Sequence, residues 1–201
     1  MIRNIDVALQ LVLEPHAQVP WLIQEAVRGG VTCVQWRDKF FNDNDFYNRA
    51  VEIKSICYEL KVPLIINDRV DIALAIGAAG VHLGQKDLPF EVARGILPAS
   101  MSIGWTVENF EELEEAEKYD VEYIGISPVL LTSTKLDAAP PFGIEGLQRA
   151  RKMSRHKLVA IGGMTPENAS AVRAAGADGL AVVSAICRSQ NPYETAKAFL
   201  K

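Results

Sequence analysis

Short apolar runs rich in β-branched residues recur at fairly even spacing: Val7 to Val12, Val31 to Trp36, Pro63 to Ile66, Gly80 to Leu83, Met101 to Gly104, Tyr123 to Ile126, Leu158 to Ile161 and Gly179 to Val183. Each is apolar at consecutive positions, the pattern of a strand covered on both faces in a parallel sheet. Helical spacing fills the gaps: Trp21, Leu22 and Ala26 before Gly29; Phe46, Ala50, Ile53 and Ile56 or Cys57; Phe110, Leu113 and Ala116. Thr165-Pro166 and Asn191-Pro192 each offer a capping residue followed by proline at the first helical position. Two near copies, Ala75 to Val81 and Ala174 to Leu180, carry a helix end through Gly-Ala-x-Gly into a strand, which points to a repeated βα unit.

Strict alternation leaves two architectures, an open doubly wound sheet or a closed (β/α)8 TIM barrel. Eight candidate strands favour the barrel. At 201 residues the chain sits near the lower limit of about 200 for that fold, so residues 1–201 are expected to form a single catalytic domain with short loops. One long loop remains, Ser127 to Phe142, with no apolar period of its own. Such a segment in a tight barrel is expected to be functional, here a mobile lid carrying Lys135.

Composition narrows the function. Hydrophobic residues make up 49% and charged residues 23%, with 21 basic against 25 acidic side chains, so the basic footprint that nucleic-acid binding needs is missing. No apolar stretch approaches the roughly 18 residues of a spanning helix. The run Val7 to Leu13 lacks a cleavage pattern and reads as a first strand, not a signal. Cys33, Cys57 and Cys187 are odd in number and lack C-x-x-C spacing, against both a disulfide framework and a structural zinc site. A cytoplasmic enzyme is expected, neither membrane-bound nor partnered with nucleic acid; a homo-oligomer is left open.

In a barrel the chemistry sits at the carboxyl ends of the strands. There the sequence places Gln35, Arg37 and Lys39; Asn67 and Asp68; Gln85 and Asp87; Thr106; Thr132, Ser133, Thr134 and Lys135; Gly162 and Gly163; and Ser184. Cations pair with phosphate oxygens while carboxylates hold a hard cation such as Mg²⁺, so the set suits a polyphosphate bound with a divalent metal. The plainer alternative makes Arg37, Asp38 and Lys39 a solvated loop with internal ion pairs. Gly162-Gly163 before Thr165, with Val183-Ser184, suits backbone N–H binding of a monophosphate, against the plainer reading of glycines that only turn strand into helix. His82, flanked by Val81 and Leu83, reads as a packed, hydrogen-bonded histidine rather than a base. His16 and His156 read as loop residues, the run Glu108 to Glu117 as a solvated helix face, and Cys33 and Cys57 as core.

At these motifs the chain resembles the thiamine-phosphate synthase family over nearly its whole length. Gln35-Trp36-Arg37-Asp38-Lys39 is similar to its Q-x-R-E-K segment and Ile65-Ile66-Asn67-Asp68-Arg69 to its I-x-N-D-R strand end. Gly80 to Asp87, Thr132 to Lys135, Ala160 to Gly163 and Val182 to Ser184 follow in order. The resemblance implies a transferase that joins 4-amino-2-methyl-5-hydroxymethylpyrimidine diphosphate to 4-methyl-5-(2-hydroxyethyl)thiazole phosphate, or its carboxylated form, giving thiamine monophosphate and pyrophosphate. By matched position Asp68 and Asp87 would hold Mg²⁺. Gln35, Arg37, Lys39, Asn67, Thr106 and Lys135 would contact the pyrimidine diphosphate, with Lys135, Arg37 and Lys39 as the catalytic cations. Thr132, Ser133, Thr134, Gly163, Val183 and Ser184 would contact the thiazole phosphate.

Trp36, Asp38, Lys86, Thr106, Leu131 and Glu108 depart from the commoner family residues: an aliphatic, Glu, an acid, Ser, Pro and His. Thr106 keeps the hydroxyl, whereas Glu108 adds negative charge near a mouth expected to accept phosphates. Two alternatives remain, a thiazole tautomerase of similar fold and a non-catalytic phosphate-binding barrel.

Overall fold

A computed structural model of the chain describes residues 5–132 and 139–201. Eight strands, β1 (Leu9–Leu13), β2 (Cys33–Trp36), β3 (Leu64–Asn67), β4 (Gly80–Leu83), β5 (Ser102–Val107), β6 (Tyr123–Ile126), β7 (Leu158–Ile161) and β8 (Gly179–Val182), pair in parallel with their sequence neighbours. Strand β8 returns to β1 through Leu9 opposite Leu180 and closes the barrel. The helices alternate with them: α1 (Val19–Arg28), α2 (Asp43–Glu59), α3 (Val70–Ile76), α4 (Phe90–Ile96), α5 (Phe110–Ala116), α6 (Gly143–Met153), α7 (Pro166–Ala174), α8 (Ser184–Cys187) and α9 (Pro192–Ala198). The eight-stranded barrel expected from the alternation is therefore observed, with α8 inserted before the last helix. None of the described helices is long and apolar enough to cross a membrane.

Period-two alternation explains the two apolar layers. Outward residues such as Leu11, Val34, Ile66, Val81, Ile103, Ile124 and Leu180 pack under the helices in one large core. Inward residues form a much smaller cluster of Val12, Cys33, Ile65, Tyr123, Val159 and Ala181 with Ile5 and Val7. Helix α1 buries Val19, Leu22, Ile23 and Ala26, so Trp21, expected on the inner face, instead lies 40% exposed. Helix α2 buries Cys57 rather than Ile56 and starts at Asn42, whose side chain accepts from the Asp45 N–H. In α7 the Thr165 N–H donates to Asn168 Oδ1 at 3.0 Å in a capping box.

The two glycine copies are structurally parallel: Gly77 and Gly176 end α3 and α7, and Gly80 and Gly179 open β4 and β8. A Cβ on Gly80 would lie 2.6 Å from the Ser102 carbonyl oxygen and one on Gly179 1.9 Å from that of Val7, so each strand enters the barrel where no side chain fits. All three cysteines are free and buried, and burial holds Cys33 and Cys57 up at about 12 and Cys187 at about 11, which makes them inert packing groups.

The expected lid is only partly described, because residues 133–138, including Ser133, Thr134 and Lys135, lie outside the described residues. Its base is pinned. Val129 N–H bonds the Ile161 carbonyl at 2.8 Å, Leu130 N–H that of Gly162 at 3.2 Å, and Phe142 N–H that of Pro128 at 2.9 Å.

Candidate active site

The carboxyl ends of the strands surround one cavity of about 860 Å³. Gln35, Arg37, Lys39, Asn67, Asp68, Asp87, Thr106, Thr132, Gly163, Val183 and Ser184 all line it. The residues singled out in sequence thus meet in space, apart from Ser133, Thr134 and Lys135, which are not described. Gln35, Asn67 and Thr106 belong to the last residues of their strands rather than to the loops beyond. Their side chains face inward through the pleat, in register with Val12, His82 and Gly125.

On one side lies a cluster of charge. Lys39 Nζ bonds Asp68 Oδ2, and Arg37 faces Glu14 at 3.9 Å. Asp38 caps the loop, accepting from the Phe40 and Phe41 N–H groups at 2.6 and 2.8 Å. The plainer picture of a self-paired loop therefore fails for Arg37 and Lys39, whose partners come from the ends of β1 and β3. Asp87 Oδ2 accepts from the Gly84 N–H at 2.7 Å. Burial, with the Asp68 carboxyl in hydrogen-bonding reach, holds Asp87 above the ordinary carboxylate range.

Asp68 occupies the left-handed region at φ 62, which Asp tolerates better than most residues. Its N–H donates to the His82 carbonyl at 2.9 Å, tying the turn to β4 and setting its carboxyl beside Asp87. Two neighbouring carboxylates, with the Lys39 ammonium bonded to that of Asp68, are a donor set that a hard divalent ion fits. No group of three or more His, Cys, Asp or Glu that could hold a metal occurs among the described residues. An ion there would draw further oxygens from ligand and water, the habit of Mg²⁺.

On the other side Gly162 and Gly163 turn from β7 at φ 96 and 69. A Cβ on Gly162 would lie 2.6 Å from Pro128 Cβ and one on Gly163 2.6 Å from the Leu131 carbonyl oxygen, so both glycines also admit the 127–132 segment to the cavity wall. The glycines thus turn the chain, as the plainer reading has it, and line the site as well. Asn168 Nδ2 donates to the Gly163 carbonyl at 2.8 Å and steadies the turn.

Several lining residues escaped sequence reasoning: Gln10, Glu14, Tyr123 and Arg188. Gln10 interrupts an apolar run, a usable signal; Arg188 follows Ser184 by one helical turn, a weak one. His82 is hydrogen-bonded as expected, with Nδ1 2.9 Å from Tyr123 Oη and Nε2 2.6 Å from Thr106 Oγ1, and it also faces the cavity. Burial pushes its imidazole down to about 4, opposed in part by Asp68. Glu108 lies outside α5 and lines the cavity, which corrects its assignment to a solvated helix face; its N–H bonds Glu112 Oε2 at 2.7 Å. Trp36 points away from the site into the outer core, so that departure from the family pattern does not touch the cavity. His156 is a loop residue with a buried ring, its Nδ1 3.1 Å from the Val121 carbonyl oxygen.

The chain is similar to known proteins in sequence and fold. The family model described as thiamine monophosphate synthase matches residues 9–186. A thiamine-phosphate synthase of Albidiferax ferrireducens is 50% identical over 171 residues, 85% of this chain and 78% of the relative. One from Vibrio parahaemolyticus is 43% identical over 195 residues, 96% of both chains. Among solved structures, thiamine phosphate pyrophosphorylase from Pyrococcus furiosus superposes with a TM-score of 0.87 at 33% identity, covering 98% of this chain and 95% of that one. The barrel, the strand-end motifs and these similarities together place the chain in the thiamine monophosphate synthase family, as a transferase of thiamine biosynthesis.

Proposed function

We propose that the cavity condenses 4-amino-2-methyl-5-hydroxymethylpyrimidine diphosphate with 4-methyl-5-(2-hydroxyethyl)thiazole phosphate, or its carboxylated form, and releases pyrophosphate. The observation that carries this reading is a charged wall and a glycine-turn wall lining one cavity. Arg37, Lys39, Asp68 and Asp87 stand on one wall, and Gly163, Val183 and Ser184 on the other.

Arg37 and Lys39 exchange Glu14 and Asp68 for phosphate oxygens of the diphosphate. Gln35, Asn67 and Thr106 orient the pyrimidine above the barrel interior. Backbone N–H groups at Gly163, Val183 and Ser184, with the Thr132 hydroxyl, hold the thiazole phosphate; Ser133 and Thr134 join them by resemblance. The thiazole nitrogen already has a lone pair, so no general base is required. As the C–O bond breaks, its electron pair leaves with pyrophosphate, and the electron-rich aminopyrimidine shares positive charge at the exocyclic carbon until the C–N bond forms. Arg37, Lys39 and Lys135 stabilise the charge growing on the leaving group. Mg²⁺, held by Asp68 and Asp87 when bound, supplies further neutralisation of the diphosphate. Inert, unpaired cysteines support a reducing cytoplasm as the setting.

The test is pyrophosphate release from the substrate pair, with calorimetric titration of each substrate with and without EDTA. Two carboxylates approaching a polyanion repel it unless a divalent ion intervenes. Chelation is therefore expected to abolish pyrimidine diphosphate binding and largely spare thiazole phosphate affinity. Metal-independent diphosphate binding would overturn the reading. Metal-independent turnover of the thiazole alone would indicate a tautomerase, and no pyrophosphate with both substrates and Mg²⁺ a binding barrel.

A further inference from the structure

Below the charged rim, five side chains from five strands form one unbroken hydrogen-bonded chain. Gln35 Nε2 donates to Gln10 Oε1 at 3.2 Å, and Gln10 Nε2 donates to Tyr123 Oη at 3.2 Å. Tyr123 Oη then meets His82 Nδ1 at 2.9 Å, and His82 Nε2 meets Thr106 Oγ1 at 2.6 Å. Gln10 and Tyr123 are each 1% exposed and Gln35 3%. The barrel is shaped to hold this chain, since a Cβ on Gly104 would lie 2.2 Å from Tyr123 Cζ and 2.6 Å from His82 Nδ1.

With Gln35 Nε2 and Gln10 Nε2 as the first donors, the chain runs in one direction. Tyr123 Oη accepts from Gln10, so its single hydrogen goes to His82 Nδ1. Each ring nitrogen of His82 faces one hydroxyl, and with the Tyr123 hydrogen aimed at it Nδ1 accepts. A neutral ring with Nδ1 accepting carries its proton on Nε2, where it donates to Thr106 Oγ1. The Thr106 hydrogen is then turned toward the ligand as a donor. At the other end one N–H of the Gln35 amide goes to Gln10, which leaves Oε1 to accept from a ligand.

We propose that Gln10, Tyr123 and His82 are positioning residues that set the polarity of the pyrimidine pocket, Gln35 accepting and Thr106 donating. The pocket then selects a heteroaromatic ring with an amino donor on one edge and a ring-nitrogen acceptor on another. This rests on the reading that the pyrimidine lies against Gln35 and Thr106. An opposite chain, begun by Thr106 and ended by Gln35, would be equally continuous and would select the opposite ligand, so the tautomer of His82 decides between them.

The chain has three histidines, so the His16→Gln, His156→Gln double variant leaves His82 as the single imidazole. Long-range ¹H–¹⁵N correlation of ¹⁵N-histidine protein, free of ligand, is expected to show the proton on Nε2. A proton on Nδ1 would overturn the proposal. Should the double variant not fold, subtracting the spectrum of His82→Gln from that of the wild type gives the same answer. In turnover, Tyr123→Phe removes only the hydroxyl and is expected to raise KM for the pyrimidine diphosphate about tenfold, with KM for the thiazole phosphate unchanged. Equal effects on both, or on neither, would overturn it. If the wild type releases no pyrophosphate, the functional reading fails, while the tautomer still reports the polarity of the chain.

Discussion

Asp68 does two things that different substitutions separate. Its backbone sits at φ 62, a conformation Asn and Asp tolerate but in which a Cβ crowds the following carbonyl, at about 1–2 kcal/mol for a residue such as Ala. Its carboxyl bonds Lys39 and lies in reach of Asp87. Asp68→Asn keeps the shape and the turn and removes the charge; Asp68→Ala removes both. The Lys39 side chain is 47% exposed, so losing its partner costs little stability, and the Asn variant is expected to melt within about 2 °C of wild type. The Ala variant is expected to melt roughly 2–8 °C lower, at about 2–4 °C per kcal/mol for a chain of this size. Both should lose about 100-fold in kcat/KM, or roughly 3 kcal/mol, as a carboxylate that acts on the diphosphate is lost. The assays are scanning calorimetry and continuous pyrophosphate detection at saturating Mg²⁺. Turnover by Asp68→Asn within tenfold of wild type would refute the role of the charge. Equal Tm values for the two variants would refute the account of the backbone.

Lys135→Ala, at a position assigned by resemblance, is expected to lower kcat more than it raises KM for the thiazole phosphate, because its bonds strengthen as charge grows on the leaving group; an unchanged kcat refutes this. His82, at about 4 in the folded protein against an ordinary 6.5, is better protonated in the unfolded chain, so it withdraws stability as pH falls from 6.5 to 4. The gap corresponds to at most about 3 kcal/mol, since the ring faces the cavity. Asp87, held above its ordinary range, works in the opposite sense. The measurement is therefore the stability difference between wild type and His82→Gln across that window. It should narrow toward acid, and a constant difference counts against the assignment.

The outward half of the barrel was far more legible than the inward half. Residues such as Val34, Ile66 and Val81 mark strands because the face they cover is apolar, and even spacing then suffices for the closed barrel. Inward positions carry polar groups near the carboxyl ends, and these break the pattern just where the site begins. The run from Met101 accordingly reads as a strand only as far as Gly104, although β5 continues through Thr106 to Val107. In sequence Tyr123 reads as an ordinary strand residue, because nothing local shows which face it occupies or that Gly104 makes room for it. Arg188 and Glu14 reach the cavity from positions with no motif around them. Helix faces failed for a related reason: Trp21 and Ile23 are both apolar, and only packing against the strands decides that Ile23 is buried while Trp21 is 40% exposed.

That difference between the two faces has an energetic basis. The strand–helix layer gathers most of the buried apolar side chains, whereas the inward cluster has few members and contains Tyr123. The interior can therefore hold Gln10, Gln35 and Asn67, at 1%, 3% and 7% exposure, because stability does not depend on making it apolar. Each such group still costs free energy unless it finds a partner, and Gln10 and Gln35 find theirs in the chain through Tyr123 and His82. The same bonds that offset burial also fix which atoms remain to meet a ligand. An interior filled with Leu or Ile would fold as well, but it would present the cavity with no oriented donor or acceptor. On this physical ground the polar ladder belongs to the site, even though its central members, Gln10 and Tyr123, lie beneath the charged rim.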